Sequence, residues 1–282
     1  MSDPETTFYG LGHRDKEQEL ALLLKKVNKT ESVMNNRLAV AILAAGLGKR
    51  MKSPDKPKVM FEINGRPMID YVVELAFKTG ADIVVPIVGH HREQVIDFLN
   101  NKYKGKDIQY AVQAKQHGTG HAVMQTEDSL GNFDGEILIL SGDVPLLKFE
   151  TVEKLIAEHF DNNNTATLLT TVFNDSHGYG RIVRDANGNF QKIVEEKDAS
   201  EEEKQIKEIN PAIYIVNGNA LYHALKQITP ENNQKEYYLT DIFHFIPKEK
   251  TGTLVTNNEL EVTGVNSIEQ LKEMETALNS RK

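Results

Sequence analysis

Polar and apolar positions along this chain change period several times after Arg37. Short apolar runs suited to buried strands fall at Leu38–Leu43, Asp82–Val88, Ile108–Val112, Glu136–Leu140 and Thr167–Phe173. Between the first four lie stretches with helical spacing: Pro67–Lys78, His91–Lys102 and Thr119–Ser129. Such alternation predicts a parallel sheet wrapped by helices. Beyond Phe173 the pattern differs. Arg181–Asp185 and Phe190–Glu195 flank Ala186-Asn187-Gly188-Asn189, which reads as a hairpin closed by an Asn-Gly turn. A charged helix over Glu201–Glu208, a strand over Ala212–Val216 and a last helix over Ile268–Ala277 complete the expectation. No repeat or Pro/Gly-rich linker interrupts 37–282, which fits one α/β domain with a β-rich insertion. Residues 1–36 stand apart: Glu17–Val27 suits an amphipathic helix, acids early and lysines late, and Asn28–Asn36 is polar and linker-like. A helix packed on the domain is the plainer reading there, a docking or dimerisation helix the other.

Composition narrows the class. The chain has 282 residues, 33 Lys and Arg against 41 Asp and Glu, and a net charge of −8, which disfavours a general nucleic-acid binder. The absence of cysteine excludes disulfides, thiol catalysis and Cys-ligated metals. No apolar run approaches the roughly 18 residues needed to span a bilayer, so no membrane partner is expected. The start, M-S-D-P-E, lacks a basic region followed by an apolar core, so a cytoplasmic enzyme or binding protein is expected.

The stretch after the first strand raises a chemical question. Ala44–Met60 carries Gly46 and Gly48, then Lys49, Arg50, Lys56 and Lys58, with Pro54 and Pro57 limiting its freedom. Ligands of open α/β sheets bind beyond the carboxyl ends of the strands. Glycines there let backbone N–H groups approach an anion closely, and the cations add charge. A solvated basic turn is the competing reading. The usual nucleotide patterns fail: Met51 stands where G-x-G-x-x-G needs a third glycine, and no Walker sequence is present. His117-x-x-x-His121 has helical spacing, but no Glu follows the first His as H-E-x-x-H requires, so no metal role is expected for the pair.

L-A-A-G-L-G-K-R-M followed by P-K-V resembles the signature loop of sugar-nucleotide pyrophosphorylases, written L-A-A-G-x-G-[ST]-R-M…P-K. Further matches follow in order: Q-A-K-Q-H-G-T-G-H-A at 113–122, G-D-V-P-L at 142–146, G-Y-G-R-I at 178–182, V-E-E-K-D-A at 194–199, E-I-N at 208–210, E-Y-Y-L-T-D at 236–241 and G-V-N at 264–266. Together they resemble the uridylyltransferase domain of the bacterial bifunctional enzymes that make UDP-N-acetylglucosamine, over about residues 38–280. The resemblance implies a Rossmann-like nucleotidyltransferase (GT-A-like) fold: a mixed, mostly parallel sheet flanked by helices, with a β-rich sugar-binding insertion. The hexapeptide repeats of the acetyltransferase half, a left-handed β-helix, have no counterpart in this sequence, and neither that activity nor its trimer is carried over. The domain reading becomes an N-terminal helical extension and linker, 1–36, and a nucleotidyltransferase domain, 37–282.

The family joins a sugar 1-phosphate to a nucleoside triphosphate and releases pyrophosphate. The attacking phosphate is already anionic, so positioning and charge stabilisation should carry the catalysis. The resemblance implies UTP and N-acetylglucosamine 1-phosphate as substrates and Mg²⁺ as cofactor. It puts Ala45, Gly46 and Gly48 at the nucleotide, Arg50 on the leaving phosphates and Lys58 on the reacting ones. Gln113 would pair with a uracil edge, with Gln116, Gly118 and Thr119 nearby. Gly180, Glu195 and Asn210 would bind the sugar, with Tyr238 and Thr240 beside them, and Asp143 and Asn266 would hold the metal. Plainer readings stay open for several: Asp143 shaping a turn, Asn266 capping the last helix with Glu269, Gln116 as a surface amide, Thr119 as an N-cap, and the tyrosines of E-Y-Y-L-T-D, Tyr238 among them, as packing residues.

Two departures matter. Lys49 replaces the usual Ser or Thr, and Pro211-Ala212 replaces the usual Thr-Gly after Asn210, which leaves the sugar open. The alternatives are glucose 1-phosphate or dTTP as substrate, or a non-catalytic nucleotide-sugar sensor. Oligomeric state is not legible.

Overall fold

A computed structural model describes residues 37–51 and 55–280, with the side chain of Lys49 excepted. The expected helix Glu17–Val27, the linker Asn28–Asn36, Pro54 and the Lys49 substitution therefore lie outside the described residues. Ten strands make one sheet in the order β5-β4-β1-β6-β11-β7-β10-β8-β9, with β12 on the other edge of β7. The strands are β1 (Leu38–Leu43), β4 (Ile83–Val88), β5 (Ala111–Val112), β6 (Glu136–Ser141), β7 (Ala166–Val172), β8 (Gly180–Arg184), β9 (Phe190–Val194), β10 (Glu208–Asn210), β11 (Tyr214–Asn217) and β12 (Thr251–Thr256). A small hairpin, β2 (Glu62–Ile63) with β3 (Arg66–Pro67), lies outside it. The pairings make β9, β10 and β11 run against the other seven, so the sheet is mixed and mostly parallel. The expected insertion hairpin forms as β8 and β9 and extends this sheet.

Side chains on successive strand positions face opposite ways, and the chain uses this to build two cores. Ala39 and Ala41 of β1, with Ile137 and Ile139 of β6, enter one apolar cluster. Val40 and Ile42, with Leu138 and Leu140, enter the other. Both faces must be covered, so these strands read as continuous apolar runs. On the second face lie α1 (Met68–Lys78), α2 (Arg92–Lys102) and, later in the chain, α5 (Phe149–Asp161). On the first lie α3 (Thr119–Met124), α4 (Glu127–Leu130) and α7 (Gly218–Leu225). Ile69, Val72, Val73 and Ala76 place α1's apolar stripe at i, i+3, i+4 and i+7. Among the described residues no helix is long and apolar enough to cross a membrane.

Several boundaries depart from the sequence reading. The helix over Thr119–Ser129 breaks at Thr126, whose buried hydroxyl bonds to the Val123 carbonyl and the Tyr222 hydroxyl, each at 2.7 Å. The helix expected over Glu201–Glu208 is only α6 (Glu201–Lys204), started by a Ser200–Glu203 capping box. Glu208 is instead drawn into β10, where its carboxylate receives Arg184 at 2.6 Å and Thr170 at 2.7 Å. Ile108 keeps a single bridge to Val84, so the run Ile108–Val112 pairs as a strand only at Ala111–Val112. The helices α5 and α7 and the strand β12 were not expected.

Candidate functional site

The carboxyl ends of β1, β5 and β6 converge on a cavity of about 370 Å³ lined by Ala44–Leu47, Lys58, Gln113, Ser141 and Asp143, among others. A second space of about 200 Å³ is bounded by Gly180, Glu195, Asn210, Thr240, Gly264 and Asn266, among others. Thr119, Ser141, Asp143 and Ala212 line both, so the two are continuous neighbours.

At their junction stands a three-residue contact. The Lys58 ammonium donates to Asp143 Oδ2 and, at 2.6 Å, to Asn266 Oδ1. Each partner is positioned by its own element. Lys58 opens a 3-10 turn, Lys58–Met60, behind buried Pro57. Asp143 follows β6 in a turn closed by Val144 N–H to Ser141 O, and its carbonyl receives the Val265 N–H at 2.9 Å. That last bond brings the segment before the final helix, α8 (Ile268–Asn279), up to Asp143. The helix is capped by Ser267, whose hydroxyl accepts the Gln270 N–H, so the reading of Asn266 as the cap is overturned. Asn266 instead donates its N–H to Gln270 Oε1 and turns its amide oxygen to Lys58. A carboxylate and an amide carbonyl therefore converge on one positive point. These are the oxygen donors that Mg²⁺ takes, with waters and substrate phosphates completing its shell. Among the described residues no group of three His, Asp or Glu forms another candidate centre.

The loop after β1 behaves unevenly. Gly46 has open space where a Cβ would stand, whereas Gly48 has φ +58° and its absent Cβ would meet Lys58 Cβ at 2.8 Å. A side chain at position 48 would thus displace the lysine. Ala45 and Gly46 line the first cavity; Gly48 does not. Arg50 is exposed and lines neither cavity, although its charge reaches the phenol of Tyr179, a lining residue of the second. Burial pushes that phenol's pKa up, with the Gly264 N–H opposing and Asp143 adding to the rise. Lys56, read as part of the basic cluster, faces Glu62 at 3.5 Å and the Phe61 ring instead.

Gln113, Gln116, Gly118 and Thr119 all line the first cavity. The Gln113 amide donates to the Gly118 carbonyl at 2.9 Å. Gln116 lies within 3.5 Å of the Ala45 carbonyl, so it is no detached surface amide. Thr119 is not the cap of its helix. Gly118 takes that place, and the Thr119 hydroxyl accepts the Leu239 N–H at 3.0 Å. In the second cavity the Thr240 hydroxyl donates to Glu195 Oε1 at 2.9 Å. Burial pushes the Glu195 pKa up against that bond, and Asp241, Asp198 and Glu236 add to the rise. Asn210 donates to the Tyr214 hydroxyl at 2.6 Å and accepts the Ala212 N–H at 3.0 Å. Tyr238 lines neither cavity; its hydroxyl donates to Asp198 at 2.9 Å.

Sequence reasoning passed over Ser141, Tyr179 and Glu236 as lining residues, whereas Ala212, singled out beside Asn210, lines both cavities. The three stand within or beside the quoted motifs, so motif position was the available signal. Ala212, which lines both spaces, has φ +58°, a left-handed backbone suited to glycine.

Comparison with known proteins supports one family. The family model described as nucleotidyl transferase matches residues 39–259. The bifunctional protein GlmU of Caldanaerobacter subterraneus subsp. tengcongensis is 48% identical over 246 residues, which is 86% of this chain and 52% of that protein. GlmU of Latilactobacillus sakei subsp. sakei is 47% identical over 216 residues, 77% of this chain and 45% of that protein. This chain thus spans about half the length of these curated relatives. A UDP-glucose pyrophosphorylase solved with UDP-glucose superposes with a TM-score of 0.70 at 17% identity, covering 87% of this chain and 100% of that one, a likeness of fold.

Proposed function

Because the chain belongs to the nucleotidyl transferase family, we propose that this nucleotidyltransferase moves a uridylyl group from UTP to N-acetylglucosamine 1-phosphate and that 37–282 is the domain responsible. In this reaction a sugar-phosphate oxygen attacks the α-phosphorus of UTP. The bond from that phosphorus to the bridging oxygen breaks, and pyrophosphate leaves with the electron pair. The observation that carries the reading is the junction of two cavities at Lys58, Asp143 and Asn266. The larger space suits a nucleotide and the smaller a sugar, so the reacting phosphates would meet where the charged residues stand.

Roles follow from placement. Gly46 leaves room for a phosphate against its backbone, and Lys58 brings a positive charge to the same cavity. Arg50 makes no ion pair among the described residues, so its charge is available to the departing pyrophosphate. Glu195 and Asn210 present oxygens to sugar hydroxyls. Asp143 and Asn266 would hold Mg²⁺, which when bound supplies positive charge against the triphosphate. No histidine base is required, since the nucleophile is already ionised. The nucleotidyl transferase family model, matched over residues 39–259, supports the reaction class.

Pyrophosphate release measured over a matrix of triphosphates and sugar 1-phosphates tests it. UTP with N-acetylglucosamine 1-phosphate should turn over fastest and need Mg²⁺. Faster turnover with glucose 1-phosphate or dTTP would reassign the substrate. No release from any pair would leave a nucleotide-sugar sensor in its place.

A further inference from the structure

Gln113 is 3% exposed, and both hydrogens of its amide nitrogen are taken. Nε2 lies 2.9 Å from the Gly118 carbonyl and 3.1 Å from His121 Nδ1. A carbonyl can only accept, so Gly118 fixes which end of the amide is nitrogen. His121 Nδ1 must then accept as well, and the ring's proton sits on Nε2. Gln125 approaches that other nitrogen at 3.4 Å, beyond the roughly 3.2 Å limit of a good bond, so the Gln113 contact decides the tautomer. No described residue donates to Gln113 Oε1, and Gln113 lines the first cavity.

We infer that His121 is a positioning residue for base selection: as second acceptor on the Gln113 amide, it keeps that amide's carbonyl free for a pyrimidine that presents an N–H donor, uracil or thymine, and against cytosine, which presents a lone pair. The inference rests on Gln113 contacting the base, as proposed above. Turning the amide over would set its oxygen against the Gly118 oxygen, losing that bond, and would keep the His121 bond only if the imidazole moved its proton from Nε2 to Nδ1. Without His121 only one bond would oppose the turn. His121 lies outside the nucleotide cavity, facing a separate space of about 500 Å³ with His117, Tyr222 and Tyr237. It therefore acts through Gln113 and not on the base.

The device needs a neutral imidazole. Burial and the facing His117 ring, 5.1 Å away, hold the His121 pKa below its ordinary value. Tyr237 faces the same ring, with ring centroids 6.3 Å apart. Glu127 and Lys226 line the same space and pair at 2.9 Å, so their charges largely offset. Once protonated, Nδ1 would donate toward Gln113 Nε2, two donors in opposition, and the preference for the upright amide would fall.

The test is calorimetric binding of UTP and of CTP to the full chain in MgCl2, from neutral to mildly acidic pH. Wild type should favour UTP, and its UTP/CTP affinity ratio should fall in acid. His121→Leu should lower the neutral ratio by up to about tenfold, the worth of one hydrogen bond, and remove the acid response. His121→Asn, whose oxygen can accept near the place of Nδ1, should restore the neutral ratio without restoring the acid response. A purely structural role would weaken both triphosphates alike, so an unchanged ratio in His121→Leu overturns the inference. Should that variant not fold, equal acid responses in wild type and His121→Asn overturn it instead. Gln113→Ala separates the two claims: an unchanged ratio there removes the base-reading role itself, whereas a lowered ratio beside a normal His121→Leu removes only the role of His121. Wild type binding neither triphosphate overturns both.

Discussion

Lys58 lies between the two oxygens that would hold a metal, so its removal should separate charge stabilisation from metal binding. Lys58→Ala should lower kcat by roughly a hundredfold or more, the range for losing one preorganised donor to a developing charge. It should not raise the Mg²⁺ requirement, because a cation competing for Asp143 and Asn266 has been removed. Asp143→Asn should do the reverse, demanding more Mg²⁺ because a negative charge is lost. Activity titrated against Mg²⁺ in the three proteins checks this, and full turnover in Lys58→Ala would remove the residue from the mechanism. Glu195 gives a pH signature. Its pKa is raised by burial, so it takes up a proton at higher pH than an exposed glutamate and then loses an acceptor. The KM for the sugar phosphate should therefore rise as pH falls, more than kcat changes, while Glu195→Gln shows a high, flat KM. The stability sign is opposite: the folded state binds that proton more tightly, so acidification through this group stabilises, and the Gln variant should melt no lower than wild type at neutral pH. A thermal melt across pH tests that half. The motifs pointed to these residues, but not to their partners. Nothing in the spacing of Lys56 and Lys58 says that one turns to the nearby Glu62 and the other to Asp143, 85 residues on, because the second choice is made by a strand far away in sequence.

At the scale of elements, strands with both faces buried were the most legible, since continuous apolar runs such as Leu38–Leu43 leave little choice. The helix α5 was equally readable in principle, with Val152, Leu155, Ile156 and His159 buried at i, i+3, i+4 and i+7. Failures cluster where tertiary contacts override local preference: Glu208 leaves a good helical run for an ion pair with Arg184, and Thr126 breaks a helix for Tyr222. The corner between β10 and β11 combines both lessons. Pro211 favours an extended Asn210, as the sequence implied, but the positive φ of Ala212 could only be inferred from the glycine usual in the resembling family. A left-handed alanine costs roughly 1–2 kcal/mol, partly offset by glycine's extra unfolded-state entropy. Ala212→Gly should therefore change stability by no more than about 1 kcal/mol, in the favourable direction. It should also widen both cavities and raise the kcat/KM preference for N-acetylglucosamine 1-phosphate over glucose 1-phosphate, more so when combined with Pro211→Thr. Equal preferences in wild type and the double variant would show that this corner does not read the sugar.

For the whole molecule, the site joins two parts of one sheet. The first cavity draws on β1, β5 and β6, and the second on the ends of β8, β9 and β10, which lie beyond β11 and β7 in the strand order. The segment holding Asn266 reaches Asp143 from the far end of the chain through the Val265 N–H. A ligand that fills both cavities should therefore bind a surface that exists only when the entire sheet and its last segment are assembled. Binding to the folded state alone stabilises by about 2.7 kcal/mol at a hundredfold excess over Kd. For a chain of this size that corresponds to a rise in Tm of roughly 5–10 °C. UDP-N-acetylglucosamine at a fixed concentration should raise Tm well beyond UMP or N-acetylglucosamine 1-phosphate at the same concentration, because each fragment leaves one cavity empty. Asn210→Ala should reduce the shift for the nucleotide sugar while leaving that for UMP intact, since Asn210 lines only the second cavity. Identical shifts from UMP and from UDP-N-acetylglucosamine would mean that the smaller cavity takes no part in holding the sugar, and the division of the site into nucleotide and sugar halves would fall.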